Sequence, residues 1–117
     1  MVKFDDELGE YVQEYKDMIF CWDDEPDEEK IETVEALKRA YNKNKQIIAK
    51  AIYEDLVKDI FGEMTLDEVI ENLGIPQINP ERCEVVYCEQ TFDDEHIITF
   101  EFLDDDFEEI ENICLDG

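Results

Sequence analysis

The sequence is 117 residues long and carries a formal net charge of −25, with 35 acidic residues against 10 Lys and Arg. Its 44% hydrophobic content, with aromatics spread along the chain, excludes a disordered polyanion and predicts one folded domain over residues 1–117. No 18-residue apolar run is present and the first twenty residues lack a basic start followed by an apolar stretch, so a cytoplasmic protein without a membrane span is expected.

Leu8, Tyr11, Val12, Tyr15 and Met18 recur at spacings of three and four, which predicts a short first helix. The apolar knot 18–22 follows, then the acidic run Asp23 to Glu29. Pro26 disfavours helix at the residue before it, and acids suit a helix N-terminus, so a second helix is expected to start at Pro26 or Asp27. Ile31, Val34, Leu37, Tyr41, Ile48, Ile52, Leu56 and Ile60 hold a helical period as far as Gly62. Asn42 and Asn44 mark the weak point between one long helix and two abutting ones.

Thr65 with Glu68 three residues later reads as a capping box that opens a short helix, which Gly74 and Pro76 close. After Pro80 the segments 83–92, 96–103 and 109–115 are rich in β-branched and aromatic residues and are separated by acidic turns. They predict a three-stranded antiparallel meander, with Ile98, Phe100 and Phe102 on the face toward the helices. The expected fold is therefore α+β, a helical N-terminal half packed on a C-terminal three-stranded meander.

The charge is unevenly distributed. Residues 1–29 hold 12 acids and 2 Lys, residues 30–62 hold 5 acids and 7 Lys or Arg, and residues 63–117 hold 18 acids and 1 Arg. A single acidic run reads first as a solvated loop. Several runs flanking a near-neutral helix point instead to a surface of one sign, which speeds association with a basic partner.

Enzymatic and metal chemistry find little support. His96 is the only histidine, and no nucleophile elbow, phosphate-cradling glycine loop or dinucleotide fingerprint occurs. Cys21, Cys83, Cys88 and Cys114 lack a zinc-knuckle spacing and are expected to be reduced, free thiols. The aspartate runs lack the calcium-loop pattern, and no cofactor is expected. Direct nucleic-acid binding is opposed by the sign of the charge.

The stretch Ala49-Lys50-Ala51-Ile52-Tyr53-Glu54-Asp55-Leu56, the capped short helix, and the closing segment Phe92 to Phe102 with its Asp93-Asp94-Glu95 turn resemble small acidic bacterial immunity proteins of polymorphic or contact-dependent toxin systems. The resemblance covers about the last two thirds of the chain. It implies a protein that binds and neutralises a cognate basic toxin domain, a nuclease being the expected kind, with no catalytic residues of its own. The contact is then expected on Asp23, Asp24, Glu25, Asp27, Asp104, Asp105, Asp106, Glu108 and Glu109, with Trp22 or Phe107 as an aromatic anchor. For Trp22 a place in the core is an equally good expectation. Two other readings compete: a phage-type DNA mimic that inhibits a restriction or CRISPR nuclease, and a small cysteine-dependent enzyme, which requires an exposed thiol of depressed pKa.

Overall fold

The computed structural model describes residues 2–7, 9–93, 95–103 and 106–116. Three strands come first: β1 (Lys3–Asp5), β2 (Glu10–Glu14) and β3 (Ile19–Trp22). The helical middle comprises α1 (Glu28–Lys43), α2 (Lys45–Ile52), one π-helical turn (Tyr53–Val57), α3 (Lys58–Ile60) and α4 (Leu66–Leu73). Four strands close the chain: β4 (Gln77–Asn79), β5 (Glu84–Tyr87), β6 (Ile97–Phe102) and β7 (Ile110–Asp116). All seven strands form one sheet in sequence order, antiparallel throughout except for the parallel pair β3–β4. A parallel pair needs a long crossover, and the helices supply it.

The expected helical N-terminal half on a three-stranded meander is thus overturned. The sheet has seven strands and the helices sit between its two halves. Where the first helix was expected, the chain forms two successive hairpins, β1–β2 with Phe4 opposite Tyr11 and β2–β3 with Val12 opposite Cys21. Gly9 takes φ +69° in the β1–β2 turn and its N–H bonds the Asp5 carbonyl at 2.8 Å. Leu8 lies outside the described residues.

The helices begin and end for local reasons. The Asp27 side chain caps α1 by accepting from the Lys30 N–H at 2.9 Å, and Glu28 and Glu29 complement the dipole in the first turn. Val34, Leu37 and Tyr41 form its buried stripe. At Asn44 the helix breaks, because this buried amide spends its donor on the Ala40 and Asp106 carbonyls. Thr65 and Glu68 form the complete capping box of α4.

One core results. Phe20, Trp22, Ile78, Val85, Tyr87, Ile98, Phe100 and Phe102 project from one face of the sheet onto Val34, Leu37, Tyr41, Ile48, Ile52 and Val69 of the helices. The alternation along β6 matches that arrangement, with Thr99 and Glu101 turned the other way. Among the described residues, no helix is long and apolar enough to cross a membrane.

Candidate functional site: the open face of the sheet

Directly paired residues in a sheet share a face, so the register fixes what the side away from the helices displays. Asp5 pairs with Glu10 on β1 and β2. Glu84 pairs with Glu101, and Glu101 in turn with Glu111, across β5, β6 and β7. Glu14 and Asp116 lie on the same face, next to Ile19 and Ile97. Among the strand residues of this face, Lys3 is the one cation.

Asp5, Glu10, Glu84, Glu101 and Glu111 all stand near the end of the sheet where β3 and β4 finish. Glu84, Glu101 and Glu111 stand in direct register and, at about 4.8 Å per strand, form a row of roughly 10 Å, while Asp5 and Glu10 form a separate pair on β1 and β2. Cys21, which pairs with Val12, and Asn79, which pairs with Glu84, lie between the two groups, and Asn79 donates to Glu10 at 3.2 Å. Arg82 projects from the β4–β5 turn toward Glu10 and Glu84, but its guanidinium is committed elsewhere: it grips Asp23 through Nε at 3.0 Å and Nη2 at 2.6 Å. That pairing raises the pKa of Arg82. Among the described residues no cation lies within ion-pair distance of Glu84, Glu101 or Glu111.

A bulge in β7 makes this alignment possible. Glu101 pairs with Glu111 while Thr99 pairs with Cys114, so Asn112 and Ile113 together face Phe100. Asn112 takes the left-handed conformation at φ 54°, and its amide donates to Glu101 at 2.7 Å. Without the extra residue, the acids of β7 could not fall on one face at both ends of the strand.

The centre of the face is a shallow depression of about 160 Å³ floored by Cys21, Gln77, Val86 and Cys88. The Gln77 amide joins the two thiols: it donates to Cys21 Sγ at 3.1 Å and accepts from Cys88 Sγ at 3.2 Å. Burial pushes the Cys21 thiol up to about 11, and burial followed by Glu89 raises that of Cys88. Both shifts run opposite to the one a nucleophilic cysteine requires. All four cysteines are free thiols, and among the described residues no group of three or more His, Cys, Asp or Glu is placed to hold a metal ion.

The residues expected from sequence to make the contact are placed as follows. Asp23 is tied to Arg82, Asp24 and Glu25 are exposed, and Asp27 is the α1 cap. Asp106, Glu108 and Glu109 are exposed, whereas Asp104 and Asp105 lie outside the described residues. The two runs leave the same end of the sheet but are held at opposite ends of α1. Asp27 caps its start, and the Asp106 carbonyl accepts from Asn44 at its finish. Sixteen helical residues put roughly 24 Å between those anchors, so the runs do not merge into one compact patch.

Neither aromatic is available as a surface anchor. Trp22 is 0% exposed and stacks on Phe20. Its buried indole N–H has no partner among the described residues and lies beside a cleft of about 450 Å³ between the start of α1 and the β4–β5 turn. Phe107 is also 0% exposed, held at φ 56° against Tyr41 and Phe102. Trp22 takes the core place that was the other expectation for it, and alternation over Ile19–Trp22 puts it on the same face as Phe20.

Comparison of the chain with family models, with curated proteins and with solved structures finds no match.

Proposed function

We propose that this protein is a cytoplasmic, non-enzymatic inhibitor of the immunity-protein kind, which neutralises a basic toxin domain, a nuclease by expectation, by laying its acidic sheet face over the partner's cationic surface. The observation that carries this reading is the alignment of Glu84, Glu101 and Glu111 on the face of the sheet turned away from the described helices. Like charges directly opposite one another destabilise a sheet. A basic partner removes that repulsion on binding, and the long-range field of a −25 protein accelerates the encounter.

The row also favours the DNA-mimic reading as second choice, since carboxylates repeat at the strand spacing from Glu84 through Glu101 to Glu111. Both readings share an electrostatic surface and differ in the partner. Affinity capture from host lysate, washed at low and high salt, tests them together. One basic toxin-like domain that elutes with salt supports the first reading, a host-defence nuclease supports the second, and the absence of any basic partner removes both.

A further inference from the structure

The second half of β7 is the long free edge of the sheet. β7 is the last strand in the order and pairs on one side only, with β6. The opposite edge, β1, is three residues long. Beyond the bulge, residues 113–116 present a run of backbone whose outward N–H and C=O groups have no strand partner among the described residues. Such an edge is a template for another chain.

The side chains of β7 select what can pair there. Glu111, Cys114 and Asp116 lie on the open face, while Ile113 and Leu115 lie on the helix side and are only half-buried. A second copy of this chain is disfavoured, because an added β7 brings acids against acids on a protein already at −25. Along this stretch, a strand with cationic residues at alternate positions meets Asp116 on the open face, and a longer one reaches past the bulge toward Glu111. Apolar residues between them complete the burial of Ile113 and Leu115 on the other.

Resting on the reading of the partner as basic, we infer that β7 accepts an extended segment of that partner as an eighth strand, a segment in which Lys or Arg alternates with β-branched apolar residues. The backbone supplies the pairing and the acids supply the selection. The bulge and charges that protect this edge against self-association leave it open to strands of the opposite sign.

The test uses the full chain and a capped heptapeptide of alternating Lys and Val, with two N-methylated forms, one methylated at the lysines and one at the valines. Only one of these two sets of amides can face β7. The proposal expects the parent peptide and one methylated form to bind alike, and the other form to bind about tenfold more weakly or worse, having lost two or three backbone hydrogen bonds. Outward amides within 113–116 should gain protection from hydrogen exchange in the parent complex. Equal binding by all three peptides overturns strand addition while leaving the basic-partner reading intact. Absence of binding by the parent peptide also overturns it, and the basic-partner reading is then decided by lysate capture alone.

Discussion

The hydroxyls of Tyr41 on α1 and Tyr87 on β5 lie 2.6 Å apart in the core and join the helical layer to the sheet. One donates and the other accepts, so each satisfies a buried polar group. Tyr41→Phe or Tyr87→Phe strands the remaining hydroxyl and is expected to cost about 1–3 kcal/mol. The double variant should cost less than the sum of the two, and denaturant unfolding of all four proteins measures the coupling.

Burial pushes the Tyr41 hydroxyl up to about 12 and that of Tyr87 well above 10. An unfolded tyrosine ionises near 10 while the folded pair holds its protons, so above that pH the native state binds more protons than the unfolded one. Stability is therefore intact below pH 10 and falls as pH climbs from 10 toward 12. Urea midpoints across that range should fall less steeply for the Tyr41→Phe/Tyr87→Phe variant than for the wild type.

Asp93 organises the β5–β6 loop by accepting from the Gln90 amide at 3.0 Å, from the Glu95 and His96 backbone N–H groups, and from the His96 ring at 2.8 Å. The bond from Gln90, and after it the one from His96, hold its carboxyl down at about 2, against 3.8. A depressed carboxyl contributes stability above its unfolded pKa and loses it as pH falls through the folded one. Asp93→Asn should thus be less stable than the wild type at neutral pH, with the gap closing between pH 4 and 2. A gap of constant size across that range contradicts the assignment.

Gly74 ends α4 at φ 74° and ψ −150°, a region open almost only to glycine, and a Cβ there would sit 3.1 Å from the Glu89 carbonyl oxygen. Gly74→Ala is expected to destabilise by about 1–3 kcal/mol. Gly62→Ala meets a left-handed φ of 97° but no neighbouring atom, and should cost less. Thermal melts of the two variants compare them directly.

The carboxylate row predicts a trade between stability and binding. Glu84→Gln and Glu111→Gln remove like-charge contacts with Glu101, and each is expected to stabilise the free protein by roughly 0.2–1 kcal/mol. Added salt should raise the melting temperature of the wild type more than that of the paired variant, since screening and substitution relieve the same repulsion.

What the sequence revealed was what local chemistry decides. The start of α1 beside Pro26 and Asp27, the Thr65–Glu68 box and the stop at Gly74 each depend on residues within one or two helical turns, whereas the break at Asn44, a weak point in the sequence, also draws on the Asp106 carbonyl. The β1–β2 hairpin was illegible because the spacing of Tyr11, Val12, Tyr15 and Met18 fits a helical period, while Tyr11 and Val12 project to opposite faces of a strand. β4 has three residues between two prolines, too few for any period, and owes its place to parallel pairing with a strand more than fifty residues earlier. The candidate site was hidden for the same reason. A one-residue slip in β7 would turn Glu111 to the other face, so only the register and the bulge reveal the row.

The most direct test of the electrostatic account compares capture of host proteins by the wild type and by the Glu84→Gln/Glu101→Gln/Glu111→Gln variant, after a melt has established that the variant is folded. The account predicts that the wild type retains a basic protein at low salt, releases it at high salt, and that the variant retains several-fold less. A basic partner held equally by both proteins, or no basic partner on the wild type, contradicts it.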